Sequence, residues 1–590
     1  MKLTRVSLVG AIVAAGALVL AGCAAGGGSE IQAGTTLTAV ENSAFTAANG
    51  NTGDGNSTYN NNINYMTSSW FNYYDNTPKL IKNTKFGSYT VVSKSPLTIK
   101  YTIADGVKWS DGTSVDAADL LLDWAANISK YNDPKGDVNF TSANAGTGLD
   151  GVTAVPKISD NGKSLTLVYS KDYVDWETAL PSGMMPAHIA YEEAFPKVTD
   201  ATKAKDALIK AIQSDDTTTL KAVAKVWGSS WAFTSTPSDA KLLVADGPYV
   251  ISKLVKDQYI TLVANKDYNW GPLPKLSKIT VRFIQDPTAQ VQALQNGEVS
   301  VISGQATADT VAALKGLSGV TTTTTSTSTY EHIDLTFNNG GPFDPATYGG
   351  DAAKAKLVRE AFLKTIPRQD IVDKLIKPIS DTAKLDDSQT ILPGAAGYSE
   401  AVAANGSADY AKVDIAGAKA LLAQAGVTAP VNVKFMYGKS NTRRASEFAL
   451  IQSSATQAGF NVIDAGDDTW SSKLGDGTYD AVLFAWQFTS LAVTGTQSQL
   501  QTGGGNNFNG YSNKDVDKAF TTLTGEYDAS KQQALLAQID KDVWSDAYGV
   551  TIFQFPEVTA FSNKVKNVSD NPLSPSVFWN FFDWTSTSKK

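Results

Sequence analysis

Sulfur and imidazole ligands are nearly missing from this chain of 590 residues, which has one cysteine, Cys23, and two histidines, His188 and His332. A zinc or copper cage of the usual cysteine/histidine type has no material to form from, so no metal site is expected. No disulfide can staple the fold, which must rest on its core. A carboxylate calcium site stays open, although no D-x-D-x-D-G loop is present. Basic residues are in deficit, 50 Lys and Arg against 58 Asp and Glu, for a formal net charge of −8. That balance argues against nucleic acid as a partner, because phosphate binding needs a basic face. Catalytic signatures are equally poor. Gly438-Lys439-Ser440 ends like a phosphate loop, but Val433 stands where the first glycine is required, and Gly503-Gly504-Gly505 reads as a flexible loop. Acidic pairs abound without any spacing that nominates an acid/base couple. No catalytic residue and no cofactor are expected, and the composition argues for binding.

What is present begins at the amino terminus. Lys2 and Arg5 precede an apolar stretch over residues 6–20, and the small pair Ala21-Gly22 leads into Cys23. Leu20-Ala21-Gly22-Cys23 resembles the bacterial lipobox, which implies a signal peptide over residues 1–22 and a diacylglycerol on the Cys23 sulfur. A plain secretory signal or a transmembrane helix are the alternatives, and the apolar run is shorter than the ~20 residues of a membrane span. Two or three acyl chains, at ~0.8 kcal/mol per buried CH₂, hold a protein that one chain would hold only marginally. Residues 23–34, small and glycine-rich, read as a tether. The expected location is the extracytoplasmic face of the bacterial cell membrane, with a mature net charge near −10 once Lys2 and Arg5 are removed.

Residues 23–590 exceed what one core supports, so two or three lobes are expected. Residues 49–65 are dense in Asn and Gly and predict turns and irregular backbone, either a surface loop or a ligand-facing one. Residues 97–103 alternate apolar and polar positions as a half-buried strand does. Asp105-Gly106 and Asp111-Gly112 mark turns, and Asp116 with Asp119 forms a box-like cap on a helix presenting Leu120, Leu121 and Trp124. Further along, strand-like residues 280–283 and 431–435 interleave with helical residues 354–364 and 415–425, the mark of a layered α/β fold. The β-branched run 321–329 predicts an extended edge.

Several of these segments carry a resemblance. LTIKYTIADGVKWSDGTSVDAADLLLDW, residues 97–124, resembles the signature of the family five extracellular solute-binding proteins, the oligopeptide- and dipeptide-binding lipoproteins of ABC importers. Pro186-Ala187-His188, Asp246-Gly247-Pro248-Tyr249, Asn265 with Tyr268 and Trp270, Gly297-Glu298, Phe337-Asn338 with Pro342-Phe343, the helix of residues 414–426 and Asn507-Phe508 with Tyr511-Ser512 are similar to that family's elements and follow in its order. The resemblance implies an α/β fold of the periplasmic-binding-protein-like type II class, two lobes with an interlobe cleft plus an extra domain. It places lobe I at 31–60, 181–332 and 553–590, the extra domain at 61–180 and lobe II at 333–552, with hinges near residues 331–337 and 550–556. It further implies a monomer whose partners are a peptide or other small polar ligand and the permease and ATPase subunits of an importer.

The resemblance also places a ligand-binding strand at residues 479–489. Its Trp-x-x-Asp element reads here as Trp486 followed by Thr489, so the aspartate that anchors a peptide's amino group is absent. A hydroxyl is a weaker anchor for a cation than a carboxylate. Asp467 and Asp468 are the acidic residues nearby. Phe484, Trp486 and Phe488 fall on one face of a period-two strand, and Asn60, Asn62, Asn506 and Asn507 offer neutral hydrogen bonds to a ligand. Tyr330 and His332, beside the first hinge, read either as hinge packing or as ligand groups. A competing class is a secreted glycan-processing enzyme, motivated by twelve tryptophans and many carboxylates. Sugars, nickel chelates and haem remain alternative solutes for a receptor. Substituting Cys23→Ser removes the thioether acceptor, and the variant is expected to be released from the membrane fraction or left unprocessed; retention at the native level on fractionation would exclude the lipid anchor.

Overall fold

The computed structural model describes residues 31–180 and 183–587. The signal peptide, Cys23 and most of the tether lie outside the described residues. The tether as expected ran to Gly34, but Gln32 already opens a strand, Gln32–Glu41. Among the described residues no helix is long and apolar enough to cross a membrane.

One ten-stranded sheet runs through the molecule. Its order is Phe460–Asp464, Val431–Tyr437, Ala481–Gln487, Val320–Leu335, Gly549–Ser562, Val301–Gly304, Gln32–Glu41, Leu276–Phe283, Tyr259–Ala264 and Tyr249–Val255. Two long strands, Val320–Leu335 and Gly549–Ser562, join its halves as an antiparallel pair. Their register runs unbroken from Val320↔Ser562 to Ser326↔Pro556, breaks, and resumes at Tyr330↔Gln554. Three residues, 327–329, there face the single Phe555, the arrangement of a bulge, which bends and twists a ladder. Beyond the break the Thr-rich end of the first strand has Gly549–Ser562 as its partner and stays largely exposed. That fits the extended edge its β-branched composition predicts.

Each half-sheet has its own core. Ile333, Phe362, Val433, Phe435 and Ile552 belong to the first, and Leu37, Ile63, Trp70, Val281 and Phe581 to the second. A separate four-stranded antiparallel sheet, ordered Gly87–Lys94, Leu97–Ile103, Ser164–Val168 and Lys157–Ser159, carries the helix Ala117–Ala126. The alternation in Leu97–Ile103 is realised as strictly alternating burial. Asp116 caps the helix by accepting from the Ala118 amide at 2.9 Å, and Asp119 returns a bond to the Asp116 amide at 2.9 Å. The helices Ala187–Ala194, Ala201–Gln213 and Thr217–Ser229 pack into this same core through Ile189, Leu208, Val223 and Trp227. A boundary for the extra domain at residue 180 therefore cuts through one continuous core.

Residues 49–65 are not wholly irregular, because Thr58–Thr67 is a helix capped by Ser57. Asparagine disfavours helix interiors, but here tertiary burial outweighs the preference, with the amide groups of Asn60, Asn62 and Asn64 donating to Gly55 O, Glu41 Oε1 and Ala47 O. Gly247, in the Asp-Gly-Pro-Tyr element, lets the chain following that helix pass close by: a Cβ there would lie 2.2 Å from the Thr67 carbonyl carbon. Gly247→Ala is expected to destabilise the protein by ~1–3 kcal/mol through this overlap, read as a lower thermal midpoint; an unchanged midpoint would show that the contact relaxes freely.

Candidate functional site

Both half-sheets are locally parallel, and both turn the carboxyl ends of their strands toward the same crevice, where ligands of open α/β sheets bind. From one side come Glu41, Gln285 and Gln305, at or just beyond the ends of Gln32–Glu41, Leu276–Phe283 and Val301–Gly304. From the other come Gly438, Trp470 and Trp486, placed by Val431–Tyr437, Phe460–Asp464 and Ala481–Gln487. A cavity of about 170 Å³ lies between them. A second cavity of about 370 Å³ continues toward the extra domain, lined by Asn61, Tyr74, Asp123, Tyr173 and Thr489, and Trp486 borders both.

The two sides are held together across the crevice. Tyr59 Oη and Ser471 Oγ lie 2.7 Å apart, Asn56 Nδ2 donates to Asn506 Oδ1 at 2.9 Å, and Gln305 Oε1 accepts from Asn441 Nδ2 at 2.5 Å and Arg443 Nη2 at 2.7 Å. The Asp175 carboxylate, from the extra domain, accepts from the Val493 and Thr494 amides at 2.9 Å each. The form described is therefore a closed one.

Electrostatics divides the smaller cavity. On the side of Gln32–Glu41 stand Glu41, buried, and Glu557, half-buried. Burial pushes Glu41 up to about 8, with the neighbouring Glu557 raising it further and a bond from Asn62 Nδ2 (2.6 Å) opposing. Burial likewise raises Glu557 to about 7, assisted by Asp570 and opposed by a bond from Ser303 Oγ at 2.6 Å. On the opposite side the Arg444 guanidinium is already engaged, its Nε donating to Glu331 Oε1 at 2.7 Å and its charge lying 5.3 Å from the Trp470 ring. Arg443 and Glu447 complete this buried ion network, in which the two guanidinium groups hold Glu331 below the usual carboxylate range against the opposing effect of burial.

Of the residues singled out from the sequence, Asn62, Phe484 and Trp486 line the smaller cavity, and Thr489 lines the larger. Trp486 stacks at 6.1 Å on Phe508, and Phe484 meets Trp486 edge-on at 5.3 Å. Phe488 borders neither cavity, since the strand ends at Gln487 and its ring packs 6.1 Å from Tyr330. Tyr330 is buried between Trp486 and Gln554 in the crossing ladder and likewise borders neither. Asn60 spends its amide on Thr46, Ala47 and Gly55, Asn507 ties Gln501 to Tyr511, and Asn506 bridges Asn56 to Ser498. His332 bonds Asp334 at 2.8 Å within the ladder. Asp467 and Asp468 are occupied by Thr469, Lys473 and Ser440 and border neither cavity. Glu41, Glu557 and Trp470 escaped sequence reasoning, and Phe508 entered it only as part of a loop element, not as a cavity residue. The one local signal was an acid, Glu41, closing the alternating strand TLTAVE. Among the described residues no group of three or more His, Cys, Asp or Glu could hold a metal ion.

A model of the bacterial extracellular solute-binding proteins, family 5 (middle region), matches residues 63–509. The chain belongs to that family. It is 26% identical over 594 residues to an uncharacterized lipoprotein of Mycobacterium tuberculosis, covering 96% of this chain and 98% of the relative. It is 23% identical to the oligopeptide-binding protein OppA of the same organism, over 83% of this chain and 74% of OppA. Among solved structures, a periplasmic EDTA-binding protein, EppA, superimposes with a TM-score of 0.72 at 20% identity, covering 95% of this chain and 97% of the other. The oligopeptide-binding protein AppA of Bacillus subtilis, in complex with a nonapeptide, gives 0.71 at 16% identity over 94% and 99%. These likenesses establish the type II periplasmic-binding-protein fold.

The raised carboxyl of this family 5 protein predicts a pH signature. Glu41 keeps its proton to about 8 when folded, whereas an unfolded chain releases it near the ordinary value of about 4.3. In between the folded state binds more protons, so this group erodes stability as pH rises from about 4.3 to about 8. With no titratable group at position 41, Glu41→Gln should show a smaller fall in thermal midpoint between about pH 5 and about pH 8 than the native protein. Equal falls would mean that Glu41 is not held protonated.

Proposed function

We propose that this protein is the solute-binding lipoprotein of an ABC importer, anchored through Cys23 at the outer face of the cell membrane. It takes a peptide or a similar small polar solute into its crevice as a monomer and passes it to the permease and ATPase subunits by closing. The observation that carries this reading is the pair of half-sheets aiming their strand ends at one cavity, joined by two crossing strands that break register at the same level. Such a break supports a hinge at residues 326–330 and 554–556, slightly before the first segment expected from the sequence. Closure around the solute gives the permease a shape that the empty protein lacks. Relatives with the names lipoprotein and oligopeptide-binding protein, and a neighbour solved with a nonapeptide, support both the anchor and the peptide class.

The crevice lining adds weight to this choice. The larger cavity presents neutral side chains such as Asn61, Asn72, Asn144 and Ser490, suited to wet contacts with backbone groups of varied peptides. Among the described residues no histidine or cysteine lines either cavity, which disfavours nickel chelates or haem held by protein ligands. A glycan-processing enzyme draws no support from membership of a binding-protein family. Trp486 borders both cavities, so Trp486→Ala should leave a folded protein that binds its solute with ~1–3 kcal/mol less affinity. Titration of the solute copurified with the native protein checks this, and normal affinity would remove the indole from the site.

A further inference from the structure

The smaller cavity contains an acceptor that the protein does not satisfy. Asn62 is 4% exposed; its Nδ2 donates to Glu41, and its Oδ1 has no hydrogen-bond partner although the residue lines the cavity. Glu41 and Glu557 line the same cavity; burial disfavours the ionised form of each, and the Glu557 charge adds to the cost of ionising Glu41. All three groups can accept a hydrogen bond from a ligand. The opposite wall offers one guanidinium, Arg444, already spent on Glu331. An anionic ligand would find no free positive charge there and would meet three carboxyls, Glu41, Glu557 and Asp54. A quaternary ammonium would suit the aromatic surfaces of Trp486 and Trp470, yet it carries no N–H for the Asn62 oxygen.

We propose that the smaller cavity seats an N–H-bearing cation of the ligand, a protonated amine or a guanidinium, between Glu41, Glu557 and the carbonyl oxygen of Asn62. The proposal rests on reading the crevice as a solute site. Thr489 lines the larger cavity, so these acids stand at a different place from the missing aspartate, and they set a requirement for a cation in the smaller one. A buried ammonium needs opposite charge and donates to every acceptor around it. The arriving cation would keep both carboxyls ionised, where burial of the empty site favours their neutral form.

The test uses the full-length protein and a defined equimolar mixture of putrescine, agmatine, Ala-Lys-Ala, fully acetylated Ala-Lys-Ala, maltose and citrate. After dialysis, compounds retained by native protein, Glu41→Gln, Glu557→Gln and the double variant are identified by mass spectrometry, with thermal midpoints as the check on folding. Retention of one or more of the three cationic compounds, reduced at least about tenfold in the double variant, is the expected result. If the double variant fails to fold, the single variants carry the same comparison. Retention of acetylated peptide, maltose or citrate in preference to the cations, or cation retention unchanged in the variants, would overturn the proposal while leaving a receptor. Retention of nothing by the native protein would overturn it together with the receptor reading.

Discussion

Everything that makes this molecule usable passes through two strands. Val320–Leu335 and Gly549–Ser562 are hydrogen-bonded to each other on both sides of the crevice and to a different neighbour in each half. A continuous sheet would lock the halves into one rigid body, since a buried ladder resists bending. The three-against-one mismatch at 327–329 and Phe555 interrupts it where the halves meet. The freed groups are not left bare: Thr327 Oγ1 donates to Phe555 O at 3.4 Å, and the Ser328 amide donates to Pro572 O at 2.8 Å. The break is thus stabilised by neutral bonds that can be exchanged for water at small net cost.

The division of charge follows from the same need. Within one half, the ion network of Glu331, Arg443, Arg444 and Glu447 is almost wholly buried. Removing one member would strand a charge away from water, so this set fixes how the helix Thr442–Ala458 sits on the crossing strand. Between the halves most bonds are of another kind, Tyr59 with Ser471, Asn56 with Asn506, and Gln305 with Asn441, each between neutral groups and worth ~0.5–1.5 kcal/mol net; the Asp175 carboxylate, bonded to the Val493 and Thr494 amides, adds a charged one. Arg443 touches Gln305 while its charge stays neutralised on its own side. Opening therefore breaks these few contacts and leaves the buried ion network intact.

Legibility in the sequence tracked how local each cause was. The strand Leu97–Ile103 and the Asp116–Asp119 cap are fixed by residues within a few positions of each other, and period and spacing read them correctly. The helix Thr58–Thr67 defied its composition because the amide NH₂ groups of its asparagines donate to Gly55, Ala47 and Glu41, partners that only the fold brings to them. In the ligand strand Phe484 and Trp486 were legible through period and resemblance, but the period was carried one residue pair too far. The strand stops at Gln487, and Phe488 turns to Tyr330. The asparagines at 60, 506 and 507 looked like ligand groups because only the fold reveals that backbone and neighbouring side chains already use them.

The acids of the smaller cavity illustrate the opposite failure, and they show what burial adds to chemistry. Glu41 and Glu557 are two among 58 acidic residues, with nothing in their neighbours to separate them from solvated ones. They are distinguished by position on strands from opposite termini of the chain, Glu41 ending Gln32–Glu41 and Glu557 lying within Gly549–Ser562 beside the register break, where Ala39 faces Val301 and Gly304 faces Val558 across adjacent ladders. That topology puts two carboxyls in one cavity, where burial makes each resist ionisation. An uncompensated pair of this kind weakens the empty protein as pH rises, and a fold gains nothing from it by itself, since an apolar pair would pack at lower cost. Its energetic logic is completed only when a positive charge enters between the closing halves, and the same event that satisfies the acids then favours the closed form.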